Sequence, residues 1–99
     1  MKSKREKARA SSAWKVEISS SAEKKFHKLG QKVQTRIFES LRELAALNDP
    51  GTHGDVRPLV GELRGFLRLR VGEYRIIFSL LTQERIIAVV NIAPRGQVY

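Results

Sequence analysis

Cysteine does not occur in this sequence. Its absence excludes disulfide staples, thiol nucleophiles and thiolate metal ligands together. A small domain without staples fits a reducing cytoplasm, which is the expected compartment. Histidine is almost as scarce: His27 and His53 are the only two, and neither has a partner at metal-ligand spacing. That spacing excludes a zinc site, and His53 reads as an ordinary loop histidine rather than a catalytic base. Acidic residues are too scattered for a two-metal nuclease. No Walker motif, GxSxG elbow or dinucleotide fingerprint appears. Long apolar runs are missing too; none approaches the ~20 residues of a membrane span. No apolar stretch follows the basic N-terminus, so no secretory signal is read there. No metal, no cofactor and no membrane partner is expected.

What remains is basic and globular. The chain of 99 residues is 41% hydrophobic, which suits one domain around one modest core. Its formal net charge of +9 points to a polyanionic partner. The two cations are unevenly distributed. Lysines stand at 2, 4, 7, 15, 24, 25, 28 and 32, and every basic residue from Arg36 onward is arginine. Lysine is a flexible, solvated point charge, whereas arginine is a planar fork that grips phosphate through two bonds. Geometry is therefore expected to matter in the second half of the chain.

Residues 1–13 show no periodicity and carry five Lys/Arg against Glu6, the pattern of a disordered basic arm. Residues 14–99 form the expected domain. Trp14 to Ile18 alternates apolar and polar like a half-buried strand. Ser20 and Glu23 make an S-x-x-E pair that opens a helix, with Ala22, Phe26 and Leu29 on one face. Gly30 is placed to close that helix in the left-handed conformation. A second helix carries Val33, Ile37, Leu41 and Leu44 on one stripe and stops at Asn48-Asp49-Pro50-Gly51. Residues 51–65, with four glycines and Pro58, read as loop. Three strands follow, at about 66–71, 74–81 and 85–92. The predicted order is β-α-α-β-β-β, an α+β domain with a helical hairpin on a mostly antiparallel, four-stranded sheet.

The turns fix a register. Gly72-Glu73 suits a type II′ hairpin, which pairs Val71 with Tyr74, Arg70 with Arg75 and Leu69 with Ile76. Arg68, Arg70 and Arg75 then share one face, with Arg70 and Arg75 directly opposite. Like charges facing each other across strands are unfavourable, so an anion is expected between them. A second turn at Gln83-Glu84 pairs Arg75 with Ile92 and brings Arg95 within roughly 10 Å of Arg75. Tyr99 follows just beyond.

An arginine cluster can cut RNA as well as bind it. The ribose 2′-OH can attack its own adjacent phosphate, giving a 2′,3′-cyclic phosphate and a free 5′-OH. The substrate supplies the nucleophile, and the protein holds the backbone in line and stabilises the growing phosphorane charge. A tyrosine adds a proton-transfer group or a stacking platform.

The block Leu63-Arg64-Gly65-Phe66-Leu67-Arg68-Leu69-Arg70-Val71-Gly72-Glu73-Tyr74-Arg75-Ile76-Ile77-Phe78 resembles the L-x-G-…-R-x-R-x-G-x-Y-R-[IV]-[IV]-[YF] signature of the RelE/ParE toxin superfamily. The element order and the segment Asn91 to Tyr99 are similar as well, so the resemblance covers about residues 14–99. It implies a RelE-like fold, a cognate antitoxin, and ribosome-dependent cleavage of mRNA in the A site without metal. It further implies that Arg75 stabilises the scissile phosphate and that Arg95 stabilises charge near the leaving group. Tyr99 would lie near the attacking ribose and a stacked base, and Arg64 would contact RNA. Arg68 and Arg70 fall near two lysines of the best-known member; as arginines they stay protonated and are charge stabilisers, not bases. The rival readings are a ParE-like inhibitor of DNA gyrase, which would not need Arg75, Arg95 and Tyr99 together, and a non-catalytic RNA-binding protein on the same fold.

Overall fold

The computed structural model describes residues 13–97. Nearly all of the basic arm, and Tyr99, therefore lie outside the described residues.

The elements are β1 (Lys15–Ile18), α1 (Ser20–His27), α2 (Gln31–Ala45), β2 (Val56–Pro58), β3 (Leu67–Val71), β4 (Tyr74–Leu81) and β5 (Ile86–Pro94), with 3-10 turns at Pro50–Thr52 and Gly61–Leu63. They form an α+β fold in which both helices pack against one open sheet, as the sequence pattern predicts. The sheet has five strands rather than four, in the order β1-β5-β4-β3-β2. The extra strand is β2, which lies inside the stretch read as loop and pairs antiparallel with β3. Three residues are too few to show a period of two, and Pro58 argues against a central strand. At a sheet edge its missing N–H costs no ladder bond.

Local chemistry explains the other boundaries. Ser19, one residue before the expected cap, opens α1: its hydroxyl accepts from the Ala22 N–H at 3.2 Å. Gly30 does not take a left-handed conformation; at φ −64° and ψ 157° it is the extended N-cap of α2. Asp49 accepts from the Gly51 N–H at 3.1 Å, and Pro50 begins a 3-10 turn, so α2 cannot continue.

The core lies between the helices and one face of the sheet. Ile37 and Leu44 of α2 meet Leu69, Ile76, Phe78 and Ile87, all fully enclosed. Burying each such side chain stabilises the fold by about 1.5–3 kcal/mol. Trp14 anchors β1 to the end of α2, its indole N–H donating to the Asn48 carbonyl at 3.0 Å. Arg85 closes the β4–β5 turn at φ 57°; its guanidinium lies 4.9 Å from the Trp14 ring and donates to the Ala13 carbonyl. Among the described residues no charged or polar side chain is buried. No helix among them is long and apolar enough to cross a membrane.

Candidate functional site

The helices cover only one face of the sheet. Because side chains alternate along a strand, burying Leu67, Leu69 and Val71 of β3 on the helical side turns Arg68 and Arg70 to the other. The same alternation in β4 buries Ile76 and Phe78 and turns Arg75 and Ile77 outward from the helices. In β2, Val56 is buried and Arg57 takes the arginine side.

The hairpin register is the one the turn chemistry demands: Val71 with Tyr74, Arg70 with Arg75, Leu69 with Ile76. Gly72 has φ +57° and Glu73 does not enter the positive region, as a type II′ turn requires. Arg70 and Arg75 therefore stand directly opposite each other on the face away from the helices. The repulsion is relieved from within the protein. Arg70 Nη2 meets the Asp55 carboxylate at 2.7 Å, and the Arg70 N–H bonds the Asp55 carbonyl at 3.0 Å. The hydrogen bond from Arg70, with the positive charge of Arg70 and Arg57, holds the Asp55 carboxyl below the usual aspartate range. Arg75 folds back on the turn, Nη1 donating to the carbonyls of Gly72 and Tyr74 at 3.0 Å each.

The partner of Arg75 on β5 is Ala93, not Ile92. A bulge shifts the register between Ile77 and Phe78, leaving Val90 as the extra residue on β5. This matters because a one-residue shift exchanges the faces of a strand. In the unbulged register Arg95 would stand three residues past the partner of Arg75. With the bulge it stands two past, in the turn that follows Pro94. Arg95 is tied to the same turn: its N–H donates to the Glu73 carbonyl, and its Nε lies 3.6 Å from the Glu73 carboxylate. Arg70, Arg75 and Arg95 thus gather at the β3–β4 turn end of the sheet.

The remaining expected residues divide. Arg68 sits one row away, opposite Ile77 on β4 and Arg57 on β2. Arg64 is exposed after the 3-10 turn at Gly61–Leu63, off the strands. Tyr99 is outside the described residues. His53 braces the loop, Nδ1 accepting from the Asp55 N–H at 3.0 Å.

Sequence reasoning missed three contributors. Arg57 and Asp55 belong to β2 and its approach, where a short edge strand leaves no periodic signal. Arg36 of α2 reaches the hairpin from the helical layer: a Cβ at Gly72 would lie 2.8 Å from its Nη1. A groove lined by Trp14, Ile18, Phe38, Leu41 and Arg85 lies elsewhere, between α2 and β1.

Residues 16–99 match the family model described as ParE toxin of type II toxin-antitoxin system, parDE. No curated protein sequence matches the chain. The toxin–antitoxin complex RelBE2 of Mycobacterium tuberculosis is similar in structure, with 21% identity over 85% of this chain and 93% of that one and a TM-score of 0.73. The archaeal RelE–RelB complex of Pyrococcus horikoshii is 27% identical over 87% of this chain and 99% of that one, at a TM-score of 0.71. A YoeB/ParE toxin of Agrobacterium tumefaciens reaches a TM-score of 0.69 at 16% identity, over 82% of this chain and 98% of that one.

Proposed function

The chain belongs to the ParE toxin family of type II toxin–antitoxin systems, within the RelE/ParE superfamily, and from that premise we propose that it is a toxin that stops translation by cutting mRNA in the ribosomal A site. The observation that carries this reading is the pairing of Arg70 with Arg75 on the sheet face away from the helices, with Arg95 tied to the same turn through Glu73.

In the proposed reaction the 2′-hydroxyl gives its proton to water as its oxygen bonds to phosphorus, the bond to the 5′-oxygen breaks, and the 5′-oxygen takes a proton from water and leaves as a hydroxyl. Arg75 and Arg70 neutralise the non-bridging oxygens as charge builds on the phosphorane. For Arg70 to do so, the phosphate replaces the Asp55 carboxylate, an exchange of one anion for another. Arg95 stabilises charge at the leaving oxygen. Tyr99 is assigned to the attacking ribose or its base, Arg68 to the phosphate path, and Arg64 to an outer backbone contact. These arginines stay protonated at physiological pH and do not act as bases. A site that stabilises charge but lacks a strong base gains most from a substrate already held in line, which is why the ribosome is the proposed scaffold. The chemistry needs no metal or cofactor. Structures of similar fold are toxin–antitoxin complexes, which supports a cognate antitoxin as a second partner.

The second reading is ParE-like inhibition of DNA gyrase by binding, since the matching family model is that of a ParE toxin. Two assays separate the possibilities. Translation-coupled cleavage of mRNA, with free RNA left mostly intact and gyrase supercoiling unaffected, is the expected result. Inhibited supercoiling with uncut mRNA would replace this proposal with the gyrase reading. RNA binding without either activity would leave a non-catalytic RNA-binding protein.

A further inference from the structure

The sheet carries a second cross-strand pair of like charges that the cleavage chemistry does not use. Arg57 of β2 stands directly opposite Arg68 of β3, one row away from the Arg70–Arg75 pair and on the same face. We propose that Arg57 and Arg68 form a second phosphate subsite, which takes the RNA phosphate adjacent to the one held by Arg70 and Arg75. This rests on the reading of the arginine face as an RNA surface and adds to it the length and register of the strand that is bound.

Three observations support the assignment. The first is spacing. The two pairs are offset by two residues along β3 and by one strand across the sheet, about 8 Å in all, a gap that long arginine side chains can narrow. Successive phosphates of an extended RNA strand are separated by a comparable distance. The second is charge. Arg70 is paired with Asp55 at 2.7 Å, whereas Arg57 and Arg68 have no carboxylate within ion-pair distance among the described residues. Asp55 feels the charge of Arg57, but its oxygen is committed to Arg70. Directly opposed cations without a counter-ion are unfavourable in the free protein, and an arriving phosphate removes that cost.

The third is orientation. Arg57 Nη1 donates to the carbonyls of Gly54 and Val56 at 3.0 and 2.9 Å, which holds the guanidinium plane over the strand edge. Its remaining donors have no protein acceptor among the described residues, as is true of the Arg68 guanidinium. A half-fixed fork with unsatisfied donors is suited to bidentate contact with a phosphate. Arg68 is itself half-buried beside Ile77, so its stem is confined and its head cannot sweep freely through solvent.

The test uses uncleavable probes and the whole protein. The 2′-O-methylated dinucleotide UpU carries one phosphate and the trinucleotide UpUpU carries two. Titrations at low salt, followed on the Nε–H signals of 15N-arginine-labelled protein, read affinities too weak for most other methods. Wild type is expected to bind UpUpU several-fold more tightly than UpU, with a salt slope steeper by about 0.7. Arg57→Gln is expected to bind both probes equally, at the affinity wild type shows for UpU. A neutral methylphosphonate in place of the second phosphate should cause the same loss in wild type, and no further loss in Arg57→Gln.

If Arg57→Gln kept the advantage of UpUpU, or the advantage survived neutralisation of the second phosphate, the subsite would be wrong while the RNA surface stood. If UpU and UpUpU both failed to bind, the RNA reading itself would fall and the subsite with it. Binding of a glutamate hexapeptide with no binding of either oligonucleotide would assign the arginines to a protein partner and overturn the proposal.

Discussion

Asp55 and Arg70 meet at 2.7 Å on the face where Arg70 also stands opposite Arg75. The carboxylate occupies one arginine of the pair from the β2 side, across β3 from Arg75. Both partners are largely exposed, so the ion pair adds little to stability. Its consequence is local: it neutralises one charge of the site and orients one guanidinium until a stronger anion arrives.

Removing that carboxylate should make the face a better phosphate binder. Asp55→Asn keeps the shape and removes the charge, and its affinity for 2′-O-methylated UpU at pH 7 should rise several-fold. The Asp55 carboxyl is held below the usual aspartate range, so wild type stays ionised through mildly acidic conditions. The difference between the two proteins should hold from pH 7 down to that range and shrink only as Asp55 takes its proton. The contribution of the pair to stability has the same sign: it is present above the unfolded aspartate value and lost as pH falls through the lowered folded one. Affinity and urea titrations across pH check both statements. Equal affinity of the two proteins at pH 7 would remove Asp55 from any control of the site.

Arg75→Ala should lower single-turnover cleavage of ribosome-bound mRNA by about 10²–10³-fold, by analogy with loss of one oxyanion donor. Ribosome binding should survive, since the rest of the basic surface is untouched. A single-turnover rate near that of wild type would withdraw Arg75 from the chemistry.

The hairpin turn should be sensitive to any side chain at Gly72. Its φ of +57° is unfavourable for other residues, and alanine there should cost about 1–2 kcal/mol. Arg36 must also move, because its Nη1 lies 2.8 Å from the new Cβ. Gly72→Asn should lose less than Gly72→Ala, since asparagine tolerates the left-handed region. A lower urea midpoint at unchanged slope is the expected signature; equal midpoints for all three proteins would show that the turn carries no strain.

Tyr99 is tested by a pair of substitutions. If its phenol transfers a proton, Tyr99→Phe and Tyr99→Ala should lose similar amounts of single-turnover rate. If its ring stacks on a base, Phe should be near normal and Ala should lose about 1–3 kcal/mol of binding. Full activity in both variants would exclude the residue from the site.

Much of this architecture is determined by local sequence. The stripe Ile37, Leu41 and Leu44 makes α2 bury one face, since residues three and four apart share a side of a helix. Gly72-Glu73 selects a two-residue turn, and a period of two then places Arg70 opposite Arg75 with no further information. Short-range geometry suffices in both cases.

The rest was decided by tertiary structure. β2 is three residues long, too short for periodicity, and becomes a strand because β3 offers it an edge. Only that pairing brings Arg57 opposite Arg68 and Asp55 onto Arg70. The bulge at Val90 depends on how β5 fits against β4 while β1 and α1 hold its other side, and it carries Arg95 from one register to the next. A bulge adds one residue without changing the apolar character of the strand, so composition does not reveal it. The sequence determined the arginine pair; the site around it depends on contacts between residues far apart in the chain, where small shifts of register change which side chains meet.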